Sequence, residues 1–201
     1  MIRIRSSHAM VLALMTCAAS TAAAQSPPAD ASAAAADAKH PTATVWIYPA
    51  IRGYGGVHPR PDVPSGIVPG AEYKVIADVV HGTSDHKQVL GSLTRLARIV
   101  NLFAYAGVPP AHVHVAAVIE GDAGFAALNN AAFRKRFNVD NPNLALLHEL
   151  KAAGVDLMVC AQALAEVGLE DSDISPDVTV TLSALSDFAV YGARGYSYLQ
   201  L

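Results

Sequence analysis

Cysteine is scarce in this chain: Cys17 and Cys160 are the only two in 201 residues. Two cysteines cannot supply the disulfide framework on which small, core-poor domains rely. Charge is thin as well, with 15% Asp, Glu, Lys and Arg against 52% hydrophobic residues and a net charge of −3. A mildly acidic chain lacks the basic face that gives affinity for nucleic acid or an anionic membrane, so neither is an expected partner. Beyond the first residues, no stretch is long and apolar enough to span a bilayer as a helix. Familiar catalytic patterns are missing too. There is no nucleophile elbow, zinc-protease motif or Ser-His-Asp arrangement, and "GYGG" (Gly53–Gly56) and "EGDAG" (Glu120–Gly124) lack the spacing of phosphate-binding loops. A conventional hydrolase or nucleotide-binding enzyme is therefore not expected.

What is present starts with a leader. Arg3 and Arg5 precede the apolar "AMVLALMTCAAS", and Ala22 and Ala24 put small residues before Gln25. This reads as a secretory signal peptide over residues 1–24, which predicts a periplasmic or secreted protein. Cys17 is a poor lipidation site because the preceding "LMT" lacks a small residue. Cleavage before Gln25 removes Arg3, Arg5 and Cys17, taking the net charge from −3 to −5 and leaving Cys160 alone. A single cysteine in an exported chain is a buried hydrophobe, half of an intermolecular bridge, or a reactive thiol.

Residues 25–42, rich in Ala, Pro, Ser and Asp, have too little to bury and read as a flexible tether. Residues 43–71 are a Pro/Gly-rich arm in which Trp46, Ile47 and Tyr48 could form a short strand, and the arm is expected to cover apolar surface. From residue 72 to 201 the pattern is regular. "YKVIADVV" and "VHVAAVI" read as strands, as do "VDLMV" with Cys160 next, "VTVTL" and "YSYLQL". Between them, Val89, Leu93, Leu96, Val100 and Phe103 form one helical stripe, and a further helix is expected over about Phe125–Phe137. "DNPNLALLHELKAAG" carries Asn141 as a cap, Pro142 at the first helical position and Gly154 at the stop. "ALSDFAVYGA" is a late helix. Strands that are apolar on both sides and alternate with helices predict a three-layer α/β/α sandwich around a mostly parallel five-stranded sheet. The pattern leaves the strand order open.

Sites in open α/β sheets gather beyond the carboxyl ends of the strands. Those ends carry His81, Asp85 and His86 after the first strand, Glu120, Gly121 and Asp122 after the second, and Cys160 and Gln162 after the third. Cys160 also meets a helix N-terminus, whose unpaired N–H groups stabilise a thiolate. Glu120 and Asp122, if close, oppose ionisation of the thiol, and a charged His81 or His86 would offset them. His112 and His114 could ligate a metal by residue type. They begin their strand, however, whereas His81 and Asp85 follow the end of theirs, so no shared metal site is expected. "FRKRF" (Arg134, Lys135, Arg136) reads as a solvated face, and Asn101 as a satisfied structural polar group.

"GVDLMVCAQALAEVGL" resembles the cysteine segment of the DsrE/DsrF family, the sulfur-relay proteins of the DsrE and TusD type, at Gly154, Val155, Cys160, Ala163, Leu164 and Gly168. "VTVTLSALSDFAVYGARGY" is similar to the family's fourth strand and following helix. "RGYGGVHP", "LARIVNLFAYAGVPP", "NPNLALLHELKAAGV" and "GYSYL" resemble exported members. Many of those carry His-Gly where this chain has Glu120-Gly121. The resemblance implies a DsrE-like fold, homo-oligomers (trimers or hexamers), and a sulfur carrier or sulfurtransferase-like protein. Cys160 would then bear sulfane sulfur as a persulfide, with no cofactor and with a thiol-bearing donor or acceptor protein as partner. Glu120, Gly121, Asp122, His81 and Gln162 are candidate cleft residues. The alternative is a non-catalytic ligand-binding or assembly module in which Cys160 is structural.

Overall fold

A computed structural model describes residues 44–201. The expected signal peptide and tether lie outside the described residues. The chain runs β1 (Tyr73–Val79), α1 (Gly91–Tyr105), β2 (Val113–Ile119), α2 (Asn130–Phe137), α3 (Leu144–Ala152), β3 (Asp156–Cys160), α4 (Ala161–Glu166), β4 (Thr179–Thr181), α5 (Ala184–Ala193) and β5 (Ser197–Gln200). Short 3₁₀ segments occupy Pro110–His112, Gly121–Ala127 and Asp171–Asp173. The five strands form one sheet in the order β4-β3-β2-β1-β5, and every pairing is parallel. This is the expected α/β architecture.

Side chains alternate across a strand, so the register sorts the core into two halves. Ala77, Val79, Val115, Ala117, Ile119, Leu157 and Val159 face one way, against Leu93 and Leu96 of α1 and Leu146, Leu147 and Leu150 of α3. Ile76, Ala116, Val118, Met158 and Cys160 face the other way, where Ala184, Phe188 and Tyr191 of α5 cover them. The chain steps outward from β1 through β2 and β3 to β4, and α5 then carries it back to lay β5 on the far side of β1. The direction of winding therefore reverses at β1, and a crevice at such a reversal is where doubly wound sheets place their ligands.

Three local expectations are revised. The stretch expected as one helix over Phe125–Phe137 is divided: Phe125 belongs to the 3₁₀ segment, and α2 starts at Asn130. The Asn129 side chain causes the restart by accepting a hydrogen bond from Ala132 N at 2.9 Å. Asn141 does not cap α3, which begins at Leu144. Its Oδ1 instead accepts from Asn143 N, and its Nδ2 donates to Ala126 O and Leu128 O. Asn143 Oδ1 in turn accepts from Leu90 N, so two buried asparagines tie the starts of α1 and α3 to the 3₁₀ segment. The stripe of α1 is also rotated. Val100 and Phe103 are only partly buried, while Ala97 and Asn101 are fully buried.

The arm explains that rotation. It folds back on itself through one bridge, Ile47 to Val57, and buries Ile51 against the core. Asn101 holds it there. Its Oδ1 accepts from Ala50 N and Ile51 N, both at 2.8 Å, and its Nδ2 donates to Ile51 O, Tyr54 O and Gly55 O. Gly55 has φ +60, and a Cβ there would lie 2.3 Å from Arg98 N, so only glycine lets the arm come this close to α1. Asn101→Ala strands buried backbone groups of the arm, and the expected loss is about 3 kcal/mol. Urea unfolding measures that loss, and limited proteolysis of the folded variant should cut first within residues 44–57.

Candidate functional site

Cys160 is the last residue of β3 and the N-cap of α4. Its 4% exposure comes from packing among Ile76, Ala116, Val118, Met158 and Ala184 on the α5 side of the sheet. The sequence reading put the thiol one residue past the strand. The structure keeps it within β3, where it pairs in register with Thr181 of β4.

The β2–β3 register pairs Ile119 with Val159, so Glu120 follows on β2's trace beside Cys160 on β3's. Glu120 still has extended backbone, φ −143 and ψ −179. Its side chain therefore keeps the strand's alternation and leaves on the same face as Val118 and Cys160. One strand further on, Asp78 of β1 pairs with Val118 and shares that face with Ile76. Asp78 is only 4% exposed. Its Oδ2 accepts a 2.5 Å hydrogen bond from the Tyr198 hydroxyl of β5, and its Oδ1 is buried with no partner. From Cys160 the α5 face thus runs through Glu120 and Asp78 to Tyr198, crossing the reversal point between β1 and β5.

The electrostatics are those of crowded acids. Partial burial pushes the Glu120 carboxyl above the usual range, and the neighbouring Asp78 carboxylate, then Glu166, add to it. The hydrogen bond to Asp78 pushes the Tyr198 phenol up to about 12, helped by desolvation and by the charges of Asp78 and Glu120.

The other candidates divide between two places. Gln162 stays near Cys160 on α4, where its Nε2 donates to Leu182 O at 3.1 Å and joins α4 to the segment before α5. Gly121 makes the turn after β2. Its φ is +51, and a Cβ would sit 3.1 Å from Val80 O. Asp122 belongs elsewhere: with Gly82, Thr83, His86, Phe125 and Phe137 it lines a cavity of about 390 Å³ on the α2 side, and neither Cys160 nor Glu120 reaches that cavity. A Cβ on Gly82 would fall 2.6 Å from Asp122 O, so the two loops interlock by backbone there. His81 is exposed in the loop after β1. His86 is taken up by stacking on Phe137, with centroids 3.8 Å apart. At the opposite sheet edge, Glu72 holds His114 at 2.8 Å and His112 at 3.8 Å, so these histidines share nothing with His81.

Asp78 and Tyr198 were missed from the sequence. The signal for Asp78 was available: it is an acid inside "YKVIADVV", a strand otherwise read as apolar on both sides. An acid in such a run needs a partner, and Tyr198 provides one. Tyr198 gave no signal, because only the strand order brings β5 beside β1.

Because the Glu120 carboxyl is pushed up on folding, it favours the fold most below its ordinary value of 4.5, and that contribution is lost as pH rises through the raised value. Glu120→Gln removes this dependence. The melting temperature of the variant relative to wild type should therefore climb between pH 4.5 and pH 8, by about 2–4 °C for each kcal/mol involved. A difference that stays flat over that range would mean Glu120 feels only bulk water.

Known proteins bear on this geometry. No curated protein sequence matches the chain. Among solved structures, the protein of unknown function MTH1491 from Methanobacterium thermoautotrophicum aligns with a TM-score of 0.50 at 17% identity, covering 65% of this chain and 100% of its own. The ychN protein from E. coli aligns with a TM-score of 0.48 at 16% identity, covering 64% and 99%. The MTH1491 likeness speaks to the fold alone. The profile of the DsrE/DsrF-like family matches residues 74–201, which takes in the sheet from β1 to β5 and Cys160 with it. The chain belongs to the DsrE/DsrF-like family.

Proposed function

We propose that this is an exported thiol protein of sulfur metabolism in which Cys160 accepts sulfane sulfur and passes it on. The reading rests on one observation: the described chain's one cysteine ends β3 at the carboxyl edge of the sheet and occupies the N-cap position of α4, with an acid beside it. Family membership supports a role of the sulfur-relay kind. The leader read in residues 1–24 supports export to the periplasm or beyond.

The chemistry is a transfer without net oxidation. The Cys160 thiolate attacks the outer sulfur of a donor persulfide, a new Sγ–S bond forms, the donor's S–S bond breaks, and the donor leaves as a thiolate. An acceptor thiolate then attacks the outer sulfur of the Cys160 persulfide and expels the Cys160 thiolate. Access requires a local opening, because Cys160 is buried. The cover is slight: on this face α5 lays a single fully buried residue, Ala184, over the cluster that holds Cys160.

Burial also favours a second reading, a ligand-binding or assembly module in which Cys160 is a small core residue. Intact mass of the purified protein before and after inorganic polysulfide separates the two. A gain of 32 Da steps (one sulfur each, about 32 Da) that reductant reverses, on wild type and not on Cys160→Ser, supports the carrier. No gain, together with refusal of alkylation in the folded state, leaves Cys160 a core residue.

We also propose a homo-oligomer, a trimer or hexamer, as the working form. Leu182, Leu185 and Val190, at and along α5, are 73%, 82% and 45% exposed, which is costly for a monomer in water. Leu185→Glu should convert the assembly to a folded monomer in native mass spectrometry. A wild type that is already monomeric would end this proposal.

A further inference from the structure

The acids of the α5 face are not arranged as a solvated cluster. Asp78 is nine-tenths buried and more, with one oxygen satisfied by Tyr198 at 2.5 Å and the other, Oδ1, buried and unpartnered. A carboxylate oxygen in that state lacks a donor. Glu120 lies diagonally across from Asp78 on the same face, and a carboxyl can give a hydrogen bond to a carboxylate only by carrying a proton. The register sets Glu120 beside Cys160, at a strand spacing of about 4.8 Å, and places Asp78 on the diagonal, opposite Val118 on the same face.

We propose that Glu120 is the proton acceptor for Cys160, with Asp78 and Tyr198 as positioning residues that hold the proton once it has moved. The assignment rests on the sulfur-carrier reading of Cys160 and deepens it. In the loading step the Cys160 Sγ–H proton passes to a Glu120 oxygen, directly or through one water, and the thiolate so formed attacks the sulfane sulfur of a persulfide or polysulfide, whose S–S bond breaks to release a thiolate or a polysulfide one sulfur shorter. Glu120, now a neutral acid, donates to Asp78 Oδ1, while the Tyr198 hydroxyl keeps Oδ2 occupied. When an acceptor thiolate removes the outer sulfur, the Cys160 thiolate is expelled and Glu120 returns the proton. One proton moves out and back, total charge is conserved, and no cofactor enters.

The groups that bear on Glu120 are Asp78 from β1, Glu166 from α4 and, through Asp78, Tyr198 from β5. Burial and the Asp78 and Glu166 carboxylates raise the proton affinity of Glu120 and make it a better base than a free carboxylate, while the neutral Tyr198 phenol tempers Asp78 by donating to it. From α5 comes the Phe188 ring, 5.2 Å edge-on to Tyr198, which fixes the phenol without adding charge. A lone carboxylate beside a thiol would only disfavour the thiolate. A carboxylate with a second acid behind it, short of a donor, gains from taking the thiol's proton.

The test is the pH–rate profile of Cys160 alkylation by iodoacetamide, with sulfur uptake from inorganic polysulfide followed in parallel by mass. Wild type, Glu120→Gln, Glu120→Asp and Tyr198→Phe are compared, each checked for folding by its melt. Glu120→Gln should slow alkylation at pH 6.5 by about tenfold or more and remove the carboxyl-dependent limb. Glu120→Asp should keep that limb. Tyr198→Phe should shift it, because Asp78 loses its donor and draws the proton more strongly. A Glu120→Gln profile that superimposes on wild type overturns the assignment, even where polysulfide uptake is intact and the carrier reading stands. A Glu120-dependent alkylation profile without sulfur uptake upholds the assignment and removes the carrier reading. A folded wild type that refuses both reagents removes both.

Discussion

The parallel register of β1 on β2, unbroken from Tyr73–Val113 to Val79–Ile119, is the constraint on which the rest of the molecule depends. With a period of two, a slip by one residue would send every side chain of a strand to the other face. The register is secured because both faces are buried by different neighbours. Leu93 and Leu146 press on one side and the α5 helix on the other, so a slipped β1 would turn the Asp78 carboxyl into the hydrocarbon packed on Leu93 and Leu146. That same fixity aligns the carboxyl ends. Asp78 lies in β1, Cys160 in β3 and Glu120 just past β2, and they share a face only because two registers agree.

The two layers covering the sheet are unequal, and the chemistry lies under the lighter one. On the α1 side, a buried asparagine clamp and an extra arm reinforce a deep hydrocarbon core. On the α5 side, a ten-residue helix with one fully buried residue, Ala184, does most of the covering. Small side chains beneath it, Ala116 and Cys160, let α5 sit close. The α5 half of the molecule is therefore the easier half to open, as a site with a buried nucleophile requires.

Much of this was legible in the residues, for local reasons. "VHVAAVI" is β2 residue for residue, and "ALSDFAVYGA" is α5, because hydrophobic run, length and flanking breakers agree there. Gly154 stops α3 with φ +86 as its position after an apolar helix suggests. Asn129 and Asn141 were harder to read, since an asparagine between helical stretches can cap a helix, make an Asx turn or bridge segments, and only tertiary contacts choose. The site was half legible. Cys160 and Glu120 follow from the rule that carboxyl-end loops carry chemistry. Asp122 obeys the same rule, yet the turn at Gly121 sends it to the other face. Tyr198 depends on β5 lying beside β1, a non-local fact that no window of sequence contains.

That last pairing has a consequence for how the protein matures. The hydrogen bond from Tyr198 to Asp78 joins residues 120 positions apart, and β5 is the last strand of the sheet to be made. Closing a loop of that span is slow compared with the β1–α1–β2 unit, whose contacts are near in sequence. During synthesis the thiol strand, β3, emerges well before its distant tyrosine. A partly made chain therefore holds Cys160 with an incomplete acid array, and the thiol acquires its final surroundings only when the whole sheet has closed.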